Sequence, residues 1–232
     1  MAAPVKPLLA RAAARLFHPS DHKNVLRQKG LVTFQPQGFV RAEDSSSLLC
    51  RHYYEVQRLR RCLSRVGELG VARSRSLEIG CGYGRLSAHI AEHFDLHDAV
   101  DINESALVRG RQCYPFVRFT PASGADLPFA DQTFDAIITW TVLQHVPNDL
   151  IGRALSEIAR VAKPKSLIVL CEATRYADKP QADSAHTHDR SPAFYTGAFA
   201  PRSLVTSEHI TELEAIPGMD SPGQLMVFGP AD

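Results

Sequence analysis

With 232 residues, 44% of them hydrophobic and 22% charged, the chain has the length and composition of one soluble globular domain with a full-sized core. Its longest apolar run, Ser166-Leu167-Ile168-Val169-Leu170-Cys171, falls far short of the ~18 residues a membrane span requires, which argues against a membrane partner. The net charge of +1 hides an asymmetry: residues 1–75 carry 14 Lys/Arg against 5 Asp/Glu, and residues 76–232 carry 12 against 20. The two parts attract each other. No aromatic-interleaved basic motif is present, so the arginines read as solvated helix faces and a nucleic-acid partner is not expected. Five cysteines, odd in number and without a C-x-x-C pair, read as reduced thiols of a cytoplasmic protein with no metal site.

Residues 1–17 contain no acid and place Leu8, Leu9, Ala12, Ala13 and Leu16 on one helical face, with Lys6, Arg11 and Arg15 around it. The expectation is an amphipathic helix packed on the domain, although the pattern is also similar to a mitochondrial presequence. Pro19, Gly30, Pro36 and Gly38 punctuate a loop or arm over residues 18–40. Asp44-Ser45-Ser46-Ser47 then offers cap chemistry to a helix whose apolar positions, Leu49, Tyr53, Val56, Leu59, Leu63 and Val66, alternate steps of three and four. Tyr53 is expected to pack, Tyr54 to face a pocket or solvent, and Arg58, Arg61 and Arg65 to form a solvated stripe. Residues 1–70 are read as this helical arm or cap, and 71–232 as the main domain.

From Ser76 the apolar pattern alternates strand and helix, which predicts a parallel sheet with helical crossovers. Strands are expected near 76–80, 97–102, 116–119, 134–139, 166–172, 209–215 and 224–229, and helices near 83–93, 104–113 and 149–162. Asn148 and Asp149 are the cap candidates for the last helix. The final two strands are joined without a helix and should form an antiparallel hairpin. The fold class is α/β: Rossmann-like, doubly wound, with a mostly parallel seven-stranded sheet, a C-terminal antiparallel strand and an N-terminal helical segment.

The first strand ends in Glu78-Ile79-Gly80-Cys81-Gly82-Tyr83-Gly84-Arg85. Glycines are needed where a backbone turns sharply and approaches a ligand, and a helix start leaves free N–H groups there. A dinucleotide fingerprint wants its third glycine at position 85, which is Arg85 here. The E-x-G-x-G-x-G form instead resembles motif I of the class I S-adenosylmethionine-dependent methyltransferases. Three further stretches match that family in order: Asp101, 21 residues after Gly80; Gly124-Ala125-Asp126-Leu127-Pro128-Phe129; and Phe134–Trp140 with the helix and turn up to Pro164. The resemblance covers Leu77 to about Glu172.

It implies S-adenosyl-L-methionine as cofactor. Glu78 and the Gly80, Cys81, Gly82 and Gly84 backbone would hold the methionine part, Asp101 the ribose hydroxyls, and Ile102 one face of the adenine. Asp126 would take the adenine amino group with Leu127 beside it, and Thr139 and Trp140 would close the cofactor site at the end of the fourth strand. The turn Lys163-Pro164-Lys165-Ser166 departs from the family's Pro-Gly-Gly. Thr139-Trp140-Thr141-Val142 stands where amino-methylating DNA and glutamine enzymes carry an Asn-Pro-Pro-Tyr-like tetrad, which favours a small-molecule methyl acceptor.

Methyl transfer requires alignment of nucleophile, methyl and sulfur, and a base when the nucleophile is a neutral hydroxyl. His145, just past the fourth strand, is the first candidate, with a packing or capping role as its alternative. Glu172 ranks behind it. Residues 173–208 read as a substrate lid, rich in Tyr176, His186, His188, Asp189, Arg190, Phe194 and Tyr195, with His186 and His188 as further catalytic candidates. The expected function is methyl transfer to an oxygen, nitrogen or carbon of a small metabolite by a monomer or homodimer. The alternatives are an RNA or protein methyltransferase using the basic segment, and a non-catalytic partner protein of the same fold.

Overall fold

The structure, a computed structural model, describes residues 45–174, 188, 190–210 and 223–230, with side chains from residue 52 onward. The expected N-terminal amphipathic helix, the arm after it and His186 lie outside the described residues.

Seven strands, β1 (Arg75–Ile79), β2 (Leu96–Asp101), β3 (Arg118–Pro121), β4 (Phe134–Trp140), β5 (Ala162–Ala173), β6 (Leu204–His209) and β7 (Gly223–Phe228), form one sheet in the order β3-β2-β1-β4-β5-β7-β6. The pairs from β3 through β5 are parallel, and β7 runs antiparallel to both β5 and β6. This is the mostly parallel sheet with a reversed C-terminal strand that the sequence predicts. β1 has β2 on one side and β4 on the other, so the chain leaves it in opposite directions and a crevice opens at the carboxyl ends of these strands.

Helices cover both faces. On one side lie α1 (Ser45–Glu68), α2 (Ser87–Ala91) and α3 (Glu104–Cys113); on the other lie α4 (Ile151–Val161) and α5 (Pro192–Ala198). Double coverage explains why β4 is buried along its whole length and reads as a nearly continuous apolar run. Val56, Leu59, Leu63 and Val66 of α1 pack with Ile90, Ile138, Trp140, Val169 and Leu225. Ile151, Leu155 and Ile158 of α4 pack with Leu77, Ile137, Ile168 and Phe228 on the opposite face.

Several expectations are corrected. The sixth strand is Leu204–His209 and not 209–215, of which residues 211–215 lie outside the described residues. It is the sheet edge, half exposed, so its position is set by pairing with β7 and its own alternation is weak. The helix expected over 83–93 is only α2, because Gly84 at φ +85° belongs to a run of turns. β5 begins at Ala162 and runs through Pro164, with the β4 register jumping from Ala162 to Leu167. Asn148 and Asp149 do not cap α4, whose N-cap is Leu150 without a side-chain bond.

Tyr53 is 60% exposed, against the expected packing role. At that turn α1 turns Glu55 inward, where it meets Arg85 of the glycine loop at 2.5 Å. Arg85 also reaches His52 Nδ1 at 3.1 Å, and burial, then the Arg85 charge, hold His52 down at about 4, so the ring is the acceptor. The arginine stripe is not solvated as a whole either. Arg58 is buried against Glu208 at 3.0 Å and Arg65 donates to Thr206 Oγ1 at 2.6 Å, so these side chains fasten α1 to the edge strand.

Candidate functional site

The glycine loop folds back over the end of β2: the N–H groups of Gly80 and Cys81 both donate to the Val100 carbonyl, at 2.8 and 3.1 Å. Its glycines serve different ends. Gly80 sits at φ +72°, and a Cβ there would lie 2.3 Å from Val142 Cγ2, so the loop after β4 packs directly on this backbone. A Cβ on Gly84 would strike the Phe119 ring at 2.7 Å. At Gly82, φ +57°, a Cβ would meet nothing within 4 Å, which leaves a strand-end backbone open to a ligand. Cys81 points inward to Ala99, Leu107 and Phe119, and burial, with Glu78 and Asp101 adding, pushes its thiol well up. Only its backbone belongs to the open side.

Glu78 is buried beneath the loop. It accepts from the Ser87 hydroxyl, and His97 Nε2 lies 3.7 Å away, while His97 Nδ1 pairs with Ser76 Oγ at 2.9 Å. Asp101 stands at the end of β2. Its Oδ2 accepts from the Gly82 N–H at 2.7 Å and its Oδ1 from the Asn103 N–H at 2.8 Å, while Asn103 Oδ1 caps α3 through the Ala106 N–H. Ile102 beside it is 44% exposed. Across the crevice, the Leu127 N–H donates to Glu157 and Arg160 donates to the Leu127 and Phe129 carbonyls, so α4 holds this loop by its backbone. Asp126 is solvent-facing, with Arg153 at 3.4 Å.

Past β4 the chain makes a sharp turn. Thr141 adopts φ +57°, unusual for a β-branched residue, with its N–H on the Cys171 carbonyl at 2.6 Å and its hydroxyl on the Trp140 carbonyl. Thr139 and Trp140, expected at the cofactor, are both buried. Thr139 Oγ1 donates to Glu172 at 2.8 Å, and Trp140 joins the α1-side core. Glu172 is fully buried and also accepts from the Val142 and Gln144 N–H groups at 2.9 and 3.2 Å. Burial raises its carboxyl to about 7, against the opposing pull of these donors. It therefore stands under the loop, bonded to protein donors.

His145 is half-buried, 3.3 Å from Gln144 Nε2. Gln144 Oε1 accepts from the Ala173 N–H at 2.7 Å, which identifies its nitrogen as the end facing His145. The network thus assigns His145 Nε2 as acceptor and Nδ1 as the protonated nitrogen. His188 touches the same turn through its backbone, its N–H donating to the Gln144 carbonyl at 2.7 Å. Arg190 is buried and donates to the carbonyls of Leu143 and Val146 and to Asn148 Oδ1.

The sheet edge therefore brings together Gly80–Gly84, Asp101, Ile102, the Asp126–Leu127 loop and the turn bearing His145. Ser87, His97, Asn103 and Gln144 were not singled out by sequence reasoning, and Asn148 was expected only as a helix cap. Asn103 had a legible signal, a cap residue directly before a helix; the others are linked only by contacts between distant segments.

The family profile described as a methyltransferase domain matches residues 77–165. A Mycobacterium tuberculosis protein named as a probable S-adenosylmethionine-dependent methyltransferase is 31% identical over 135 residues, 58% of this chain and 45% of that one. A demethylmenaquinone methyltransferase of Clavibacter sepedonicus is 37% identical over 105 residues, 44% of this chain and 42% of that one. The chain spans less than half the length of these curated relatives. A solved S-adenosylmethionine-dependent methyltransferase from Mesorhizobium loti superposes with a TM-score of 0.56 at 15% identity, covering 71% of this chain and 97% of that one, a likeness of fold. Residues 77–165 therefore carry a methyltransferase domain, similar to that of proteins named as S-adenosylmethionine-dependent methyltransferases, whose cofactor is S-adenosylmethionine.

Proposed function

We propose that this protein transfers a methyl group from S-adenosylmethionine to an oxygen, nitrogen or carbon nucleophile of a small metabolite. The observation that carries the reading is the pairing of the open glycine, Gly82, with the strand-end carboxylate of Asp101 at the crevice of the sheet. These residues fit the cofactor: backbone without a Cβ for close approach, a carboxylate for a diol, and the half-exposed Ile102 as a shelf for a ring. The cofactor supplies a methyl group already activated on a sulfonium.

In this reading Asp101 accepts from the ribose hydroxyls while its Gly82 and Asn103 donors hold it in place. Glu78 acts from below, keeping the loop seated through Ser87 and α2. Asp126 and Leu127 flank the adenine on a loop fixed by Glu157 and Arg160. His145 is the base for an acceptor proton; its lone pair is on Nε2, so the Gln144 N–H that orients the ring has to give way when the proton arrives. Glu172 is a positioning residue for this turn. Helix α1 serves as a cap on the domain that follows it, joined to the glycine loop by Glu55 and Arg85, and the described residues Thr174 and Arg190 lie on the acceptor side.

The small-molecule acceptor is supported by relatives named for methylating demethylmenaquinone and fatty acids. The free thiols of Cys62, Cys81, Cys113 and Cys171 fit a reducing cytoplasmic location, and among the described residues no helix is long and apolar enough to cross a membrane. The test is calorimetric titration with S-adenosylmethionine and S-adenosylhomocysteine, followed by an acceptor screen with labelled methyl. Saturable binding of both and transfer to a small acceptor is the expected result; a folded protein that binds neither sinks the reading.

A further inference from the structure

The short 3₁₀ turn Leu143–His145 is held at both ends by buried side chains, Glu172 and Arg190. At its start, the Val142 and Gln144 N–H groups donate to the Glu172 carboxylate at 2.9 and 3.2 Å. At its end, the carbonyls of Leu143 and Val146 each accept from the Arg190 guanidinium at 2.7 Å, and Asn148 Oδ1 accepts a third bond at 2.8 Å. The pairing follows the dipole of the turn, with a carboxyl group accepting at the donor end and a cation donating at the acceptor end. Arg190 is only 8% exposed and lies 5.8 Å from the Phe194 ring centroid at the start of α5. A planar fork suits three acceptors at fixed angles, which an ammonium does not reproduce.

What this turn carries makes its position matter. Val142 fills the space beside Gly80, so a shift of the turn moves the floor of the glycine loop, and His145 sits three residues before the asparagine that Arg190 holds. Arg190 belongs to the other side of the site: its backbone bridges Thr174 just after β5, and the neighbouring His188 N–H donates to the Gln144 carbonyl at 2.7 Å. The geometry points to Arg190 as a positioning residue: it locks the Val142–Asn148 turn in the conformation that supports the cofactor loop, and so couples the acceptor side of the site to cofactor affinity. This rests on the cofactor reading above.

The experiment combines amide hydrogen exchange with calorimetric titration of S-adenosylhomocysteine for the wild type, Arg190→Ala, Arg190→Lys and Asn148→Ala. Arg190→Ala should raise the dissociation constant roughly tenfold, the scale of a lost charge-assisted bond attenuated through one contact, and should speed exchange at Val142 and Gln144 but not in β1 and β2. Arg190→Lys should recover little, and Asn148→Ala should show the same pattern a few-fold weaker. A role confined to stability would leave the dissociation constant of the folded protein unchanged. Folded Arg190→Ala with affinity within about twofold of wild type and unchanged exchange at Val142 and Gln144 overturns the proposal. Should Arg190→Ala not fold, the lysine and Asn148 variants decide by the same two readings. If the wild type itself fails to bind, the cofactor reading falls, while the exchange rates still test the clamp.

Discussion

The Gly82 N–H donates to Asp101 Oδ2 at 2.7 Å, so the open glycine of the loop and the carboxylate at the end of the next strand form one unit. Asp101→Ala removes both the proposed ribose contact and the brace of the loop. Affinity for S-adenosylhomocysteine should fall tenfold or more, the loss of at least one charge-assisted hydrogen bond. Titration calorimetry reads this directly, and unchanged affinity would remove Asp101 from the cofactor site.

Gly80 and Gly82 share a positive φ but differ in surroundings, so their alanine variants should separate stability from binding. Gly80→Ala forces a Cβ into Val142 and should destabilise the protein by about 1–3 kcal/mol, partly relieved by Val142→Ala. Gly82→Ala adds only the backbone strain, about 1 kcal/mol, yet puts a methyl group where the ligand is to approach. Thermal unfolding and titration on the same samples should show Gly80→Ala mainly in the melting temperature and Gly82→Ala mainly in affinity.

Glu172 gives a pH signature. Burial raises its carboxyl from 4.5 to about 7, so between these values the folded protein keeps a proton that the unfolded chain has released. Its contribution is fully present below about pH 4.5 and is lost as pH rises toward 7, at a slope approaching about 1.4 kcal/mol per pH unit. Glu172→Gln, which can still accept from the turn, should flatten that slope in denaturant titrations run across this window. Glu172→Ala leaves two buried N–H groups unsatisfied and should cost roughly 3–5 kcal/mol. An identical slope in wild type and Glu172→Gln would assign the titration to another group.

His145→Ala should lower turnover by roughly 10²–10⁴ with whatever acceptor the screen identifies, while leaving S-adenosylhomocysteine affinity within about twofold. Gln144→Ala should shift the pH–rate profile instead, because it frees His145 Nε2 from its donor. Full turnover in His145→Ala would return that histidine to a packing role and leave alignment alone to drive transfer.

Much of the fold was legible because its signals are local. The strand at 134–140 is a mostly apolar run, those at 75–79 and 96–101 carry short apolar stretches, the helix at 104–113 has a cap residue before it, and the glycine loop needs backbone angles that only its own residues allow. The placement of Asp101, 21 residues after Gly80, follows from the length of one strand–helix–strand unit. What the tertiary structure alone decided is where the buried polar groups find partners. Glu55 turns inward because Arg85 faces it, and Asn148 forgoes its expected cap because a guanidinium 42 residues on takes its oxygen. Glu172, a catalytic candidate by position, accepts from the N–H groups of the turn after β4, and β6 is located by β7 more than by its own pattern. A buried donor or acceptor must be satisfied by whatever packing brings within about 3 Å, and that neighbour is set by the sheet order and not by distance along the chain.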